Sequence, residues 1–429
     1  MTTEEKKTKN VEATALQAIS MNDRKDWISL AFVQAGICVC VPAFLLGAIL
    51  AEGMPIWPAI ISGSLGYLLV VIGMVVTGMM GCDLGLASCT CCEAGFGGKG
   101  ARFIVSTIFA VNMIGWFGIQ NGVCGEAFSN AVLAMTGINI PVIISNTVWG
   151  LIMLLTAVYG VHALEKLDKI SIPVLMAIMC YGTFLAFKIF GTDAINDEGT
   201  VQTMSFMSGV ALSFNFTAVG TITASDYTRF QKSRKDTVKS VFYGVFPMGV
   251  ITLVMGILLT KMSGQYDISL VLIDVGLPLL GIAALVISTW TTNATNAYSG
   301  GLNIVKAFNL NDNKRREATL IAGIVGIILC DIGVLGQIET VLSLLSYVVC
   351  PIGGVILADY WVVGKGKAEN FRPKEGVNWA GVISWALGAT IAYTIVKIEF
   401  AGIVAGFVIY LIVERFIPST SRDNLKNAA

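Results

Sequence analysis

The chain of 429 residues is 55% hydrophobic and only 13% charged, with a mean hydropathy of +0.76. A soluble domain carries about 25% charged residues, so this chain has too few to wet its own surface, and a polytopic membrane protein is what remains. Lys+Arg 28 balance Asp+Glu 28, which leaves no basic excess for a nucleic-acid backbone, and the single histidine argues against a His-based catalytic or metal centre.

Residues 1–25 form a polar, charged tail without the apolar segment of a cleavable signal peptide. A bilayer core about 30 Å thick takes about 20 apolar residues as helix. Runs of that size lie at about 28–50, 56–80, 101–126, 141–161, 168–190 and 204–225. Six more lie at about 238–261, 276–305, 317–336, 338–361, 377–397 and 399–417, and a second tail occupies 418–429. An all-α transporter domain of twelve transmembrane helices over 26–417 is expected.

The first span contains Gly36 and Pro42, which together predict a broken helix near mid-membrane. Breaks in hydrocarbon are tolerated only where they line a cavity. After the second span, Cys89, Cys91 and Cys92 have no histidine near them and read as small residues at a crowded helix end. The third span carries Gly115-Trp116-Phe117-Gly118, with Gln120 one turn on, so Trp116 and Gln120 share a face. A flat π-surface beside an amide suits a planar heterocycle.

The sixth span holds a polar stretch from Ser213 to Gly220, predicting a second break. Phe216 there is placed to supply a second aromatic face and Asn215 an amide. If the first ten spans form two repeats of five, about 26–190 and 204–361, the two breaks occupy corresponding helices. Paired interruptions of this kind point to a transporter's central site. The eighth span reads Ser288-Thr289-Trp290-Thr291-Thr292-Asn293. The adjacent hydroxyls of Thr291 and Thr292 suit a small hard cation, with backbone carbonyls from an unwound partner; interhelical hydrogen bonding at about 0.6 kcal/mol each is the equal alternative. Asn293 beside them is a further candidate for the substrate. Asp226 and Arg229 close the sixth span and read as helix-end pairing, with an inner gate pair as the alternative.

Charge tests this map independently. With the N-terminus inside, only Lys188, Lys261 and Lys397 fall outside, leaving 25 of the 28 basic residues inside. The positive-inside rule then sets both termini in the cytoplasm. Eighteen acidic residues, among them Asp83, Glu93, Glu165, Asp168, Asp226 and Asp359, also fall inside, so the net charge of zero divides into +7 inside and −7 outside.

At these residues the chain resembles the nucleobase–cation symporter family, most closely its cytosine-permease branch. The motifs are G-W-F-G at 115–118, G-T-I-T-A at 220–224 with D-Y-T-R-F at 226–230, W-T-T-N at 290–293 and P-I-G-G-V-I-L-A-D-Y at 351–360, with a weaker F-G-G-K-G at 96–100. The resemblance covers about 25 to 417. It implies two inverted five-helix repeats of the LeuT type plus two extra helices at about 377–417, and alternating access by a bundle rocking against a scaffold. It further implies a planar base stacked between Trp116 and Phe216. A sodium site is implied between the first and eighth spans, formed by the hydroxyls of Thr291 and Thr292, the carbonyl of Ser288, and first-span carbonyls near Gly36 and Val39.

Two positions depart from the cytosine branch. Met113 stands where that branch has a glutamine, and Gln120 instead follows the tryptophan as in the hydantoin-transporting relatives; Asn215 replaces a serine. The expected activity is secondary active uptake of a nucleobase, cytosine first, by sodium symport across the plasma (inner) membrane, by a monomer without other cofactors. Proton coupling, or another planar ring such as a purine, a uracil-like base, hydantoin or allantoin, is the alternative. An embedded enzyme lacks converging ionisable groups, a channel lacks filter repeats, and a transport-like receptor would be separated by counterflow.

Overall fold

The computed structural model describes residues 16–417 except 192–194, 196–201, 266–267, 275 and 334–337. The charged tails at 1–15 and 418–429 lie outside the described residues. Among the described residues there is no strand, only an isolated bridge between Lys25 and Gln231. Asp26 starts the first helix: its carboxylate accepts the Ser29 N–H at 2.9 Å and the Ser29 hydroxyl at 2.8 Å, filling one of the orphan donors at a helix start.

That helix, α1 (Trp27–Cys38), ends at Val39, and α2 (Val41–Gly53) begins after an extended Cys40; the two are bent by 53°. The break falls between Gly36 and Pro42. Pro42 itself sits in the first turn of α2, where its missing N–H costs nothing. Then come α3 (Ile56–Leu84), α4 (Ser106–Thr136), α5 (Val142–Val158) and α6 (Val161–Phe190). The second break separates α7 (Phe206–Thr217) from α8 (Gly220–Thr228), bent by 46°. The remaining long helices are α9 (Arg234–Ser263), α10 (Pro278–Ala307), α11 (Arg315–Asp331), α12 (Ile338–Leu357), α13 (Trp379–Ile391) and α14 (Ala401–Phe416).

Among the described residues six helical stretches are long and apolar enough to cross a membrane, or up to eight if each bent pair counts as one. α10 fails that test because of its Ser, Thr and Asn, yet every residue from Ser288 to Val305 except Trp290 is buried. Its polar groups face protein, where partners replace water. The run placed at about 168–190 starts earlier, at Val161, so Asp168 lies inside α6, fully buried, and not at the start of the helix.

One core joins α2, α3, α7 and α9 through Leu46, Tyr67, Phe214 and Leu253, and receives Trp116 from α4. Another joins α4, α5, α10 and α11 through Phe117, Leu154, Tyr298 and Ala322. α2 and α9 meet backbone to backbone: a Cβ on Gly256 would lie 2.4 Å from the Phe44 carbonyl, and one on Gly47 2.5 Å from that of Leu253. Glycine lets membrane helices approach this closely, where dispersion replaces the hydrophobic effect.

Ion pairs join the same end of several helices: Lys25 with Glu165, Lys169 with Glu165, Arg234 with Asp83 and Lys306 with Glu93. A strap of residues 16–26 lies across this end. Ile19 N–H donates to Gly85 O at 2.9 Å and Lys25 N–H to Phe230 O at 2.6 Å. Arg24 donates to Gln231 O at 2.8 Å, and the N–H groups of Leu16 and Gln17 to Asp312 Oδ2 at 3.4 and 3.3 Å. Two motifs also serve packing. Gly97, at φ +77, brings the 96–100 segment against 374–378, where Gly98 and Lys99 N–H donate to Lys374 and Gly376 carbonyls at 2.7 Å each. In the 351–360 segment a Cβ on Gly354 would lie 2.1 Å from Ile403 O of α14.

Candidate functional site

Both helix breaks open into one cavity. Cys38 and Cys40 line it from the first break, Thr217 and Gly220 from the second, Trp116 and Gln120 from α4, and Thr292 and Asn296 from α10. Where a helix stops, its last carbonyls and first N–H groups lose their partners, so the breaks put bare backbone polarity beside the cavity.

Trp116 and Phe216 are buried and face each other across 5.5 Å between ring centroids, with planes at 82°. They therefore touch edge to face. Parallel stacking on both sides of a flat ring needs about 7 Å, two gaps of about 3.5 Å, so a base enters between them only if Phe216 turns and withdraws. Gln120 Oε1 and Thr217 Oγ1 are buried and have no hydrogen-bond partner. Leaving such groups bare costs about 1–3 kcal/mol each; a ligand edge bearing N–H donors removes that cost.

Asn215 is buried with its Oδ1 unpartnered, but it does not line the cavity. Asn293 also turns away: its amide donates to the Phe117 carbonyl at 3.2 Å and so ties α10 to α4. The asparagine that lines the cavity is Asn296, whose Nδ2 reaches Asn293 Oδ1 at 3.4 Å. Spacing held the signal for Asn296, because it stands four residues after Thr292 and shares its face. Met113 lines the cavity as well, an apolar group where an amide is expected in the cytosine branch.

Beside the cavity, oxygen atoms converge. The helix break leaves the Gly36 carbonyl without a fourth-residue N–H, and Thr292 Oγ1 donates to it at 2.7 Å, with Thr291 Oγ1 at 3.5 Å. The same hydroxyls donate to Ser288 O at 3.1 and 3.0 Å. Val39, the other α1 residue expected there, is the buried cap of α1 with φ −92° and ψ 76°. Two hydroxyls and two carbonyls at one point form a hard-oxygen set that fits a small monovalent cation. Thr292 belongs to both groups: it lines the cavity and completes the oxygen cluster.

At the strap end, Tyr227 of the D-Y-T-R-F segment lines the cavity. Asp226 Oδ1 accepts the Ser88 N–H at 2.8 Å, Tyr227 OH pairs with Ser299 Oγ at 3.0 Å, and Arg229 donates to Tyr298 OH at 2.8 Å. Cys89, Cys91 and Cys92 are buried beneath this segment in and beside a short helical turn.

Residues 21–415 match the family described as permeases for cytosine/purines, uracil, thiamine and allantoin. The cytosine permease of Escherichia coli (strain K12) is 29% identical over 374 residues, 86% of each chain. A nucleobase-cation-symport-1 family transporter, solved in a closed conformation with bromovinylhydantoin bound, superposes with a TM-score of 0.82 at 19% identity over 95% of both chains. A Na+-coupled sialic acid symporter in a substrate-bound outward-open state gives 0.64 at 13% identity, covering 92% of this chain and 91% of that one.

Proposed function

The chain belongs to the permease family for cytosine/purines, uracil, thiamine and allantoin, a family of membrane transporters and not of enzymes, and from that premise we propose that it imports a nucleobase, cytosine before others, by sodium symport. The observation that carries this reading is the double role of Thr292, at the wall of the aromatic cavity and in the oxygen cluster on Gly36. A cation held by Gly36, Val39, Ser288, Thr291 and Thr292 would fix the first break and so shape the base site next to it. Coupling then lies in different cation and base affinities of the two access states, since a ligand that binds both equally shifts nothing.

The base is held by Trp116 and Phe216 on its faces and by Gln120, Thr217 and Asn296 at its edge, with Asn215 beside the second break and Asn293 tying α10 to α4 behind them. Stacking is worth about 1–3 kcal/mol per base and each neutral hydrogen bond about 0.5–1.5 kcal/mol. Micromolar affinity, about −8.2 kcal/mol, thus requires both faces and several edge contacts.

The bent pairs count as one span each and α5, α10, α11 and α14 as spans, giving twelve: two inverted repeats of five plus α13 and α14. The protein works as a monomer in the plasma (inner) membrane with both termini in the cytoplasm. In proteoliposomes, labelled cytosine uptake is expected to follow an inward sodium gradient at fixed pH, and Thr291→Ala/Thr292→Ala is expected to remove that dependence. Full uptake from sodium-free medium under a pH gradient would assign the proton instead. Competition by unlabelled hydantoin, allantoin, uracil and adenine ranks the rings.

A further inference from the structure

Asp168 lies two turns into α6, fully buried, and neither oxygen of its carboxylate has a hydrogen-bond partner. Its neighbours on the helix do not relieve it. Lys169 turns to Ser29 Oγ and Glu165 at 2.8 Å each, and Glu165 also takes Lys25. Opposite it, α1 presents the backbone of Gly36, and α10 presents Thr291. A Cβ built on Gly36 would lie 2.9 Å from Asp168 Oδ1 and 3.3 Å from Thr291 Cβ. The carboxylate therefore rests against the residue whose carbonyl receives both threonine hydroxyls.

A buried carboxylate with no countercharge costs several kcal/mol, and such groups persist where they pair or coordinate a cation. Every other member of the oxygen cluster is a neutral dipole. We propose that Asp168 is a ligand of the coupling cation, a carboxylate supplied by a third helix that gives the site a full negative charge. This rests on the reading that the cation binds between α1 and α10. The ion would then join α1, α6 and α10 at one point. The absence of a side chain at Gly36 becomes a condition of ligation, since a methyl group there would occupy the carboxylate's path to the ion.

Purified full-length protein in detergent, with sodium chloride exchanged for choline chloride at constant ionic strength, tests this by thermal unfolding and by 22Na+ binding. Wild type is expected to melt higher as sodium rises. Asp168→Asn is expected to raise the half-saturating sodium concentration by about tenfold or more, because the charge of the ligand is lost while its shape remains. In choline the same variant is expected to melt no lower than wild type, which separates ligation from a merely structural role. Half-saturation unchanged in Asp168→Asn overturns the inference. If Asp168→Asn does not fold, Asp168→Glu decides: a longer carboxylate should move sodium half-saturation, and an unmoved value overturns the assignment. Thr292→Ala serves as the second arm. A sodium response that survives Thr292→Ala, or is absent from wild type, sinks the α1–α10 site itself; a response lost with Thr292→Ala but kept with Asp168→Asn sinks only the role of Asp168.

Discussion

Asn293 and Asn296 differ by three positions and by what their amides touch. Asn293 holds the Phe117 carbonyl, so Asn293→Ala is expected to lower the melting temperature more than base affinity. Asn296 lines the cavity, so Asn296→Ala is expected to weaken base binding by up to about tenfold with little change in melting, as one neutral hydrogen bond is worth about 0.5–1.5 kcal/mol; isothermal titration separates the two. Trp116→Ala should cost about 1–3 kcal/mol of stacking and reduce uptake to background, whereas Trp116→Phe keeps part of the face. The aromatic and hydroxyl residues were legible in the sequence, since large or polar groups are conspicuous in an apolar run. The choice between neighbouring asparagines was not, because it depends on helix rotation. Asp168 was hidden for a similar reason: near the start of an apolar run, a charge reads as loop unless the helix start is known.

Among the helices, both breaks were visible as glycine and polar residues within apolar runs, and both occur, at Val39–Cys40 and Ala218–Val219. What the sequence did not expose is that Pro42 merely starts α2, while the Gly36 carbonyl at the break accepts both threonine hydroxyls. α10 was the least apolar of the expected spans, and its burial explains why it stays helical. The motif glycines at 97 and 354 turned out to serve contacts between segments remote in sequence, which no local pattern encodes. The contact of α2 with α9 gives an element-level test. Gly256→Val must push the Phe44 backbone away from a separation of 2.4 Å. Overpacking of this kind costs about 1–3 kcal/mol, and with backbone as the obstacle the upper end is expected. Size-exclusion chromatography and melting in detergent should show a less stable, poorly monodisperse protein, while Gly264→Ala, which meets no atom within 4 Å but carries a positive φ, should show a far smaller effect.

At the scale of the molecule, the expected division of charge sums over many loops and so tolerates errors of a few residues in any boundary. Lys25, Glu165, Lys169, Asp83, Arg234, Glu93 and Lys306, all assigned to one side by counting, meet in ion pairs. Reporter fusions test the sidedness: a fluorescent domain on either terminus is expected to mature in the cytoplasm, and an alkaline phosphatase on either to stay inactive. The strap of residues 16–26 carried no such signal, since its bonds run largely through the main chain. Its position has a consequence for biosynthesis. Leu16 emerges early from the ribosome, but Asp312, which receives its N–H, is 296 positions later, about 15–60 s of synthesis at about 5–20 residues per second. Ile19 can pair with Gly85 and Lys25 with Phe230 before then, so a nascent chain halted before the loop that follows α10 lacks only the bonds that hold Leu16 and Gln17 to Asp312.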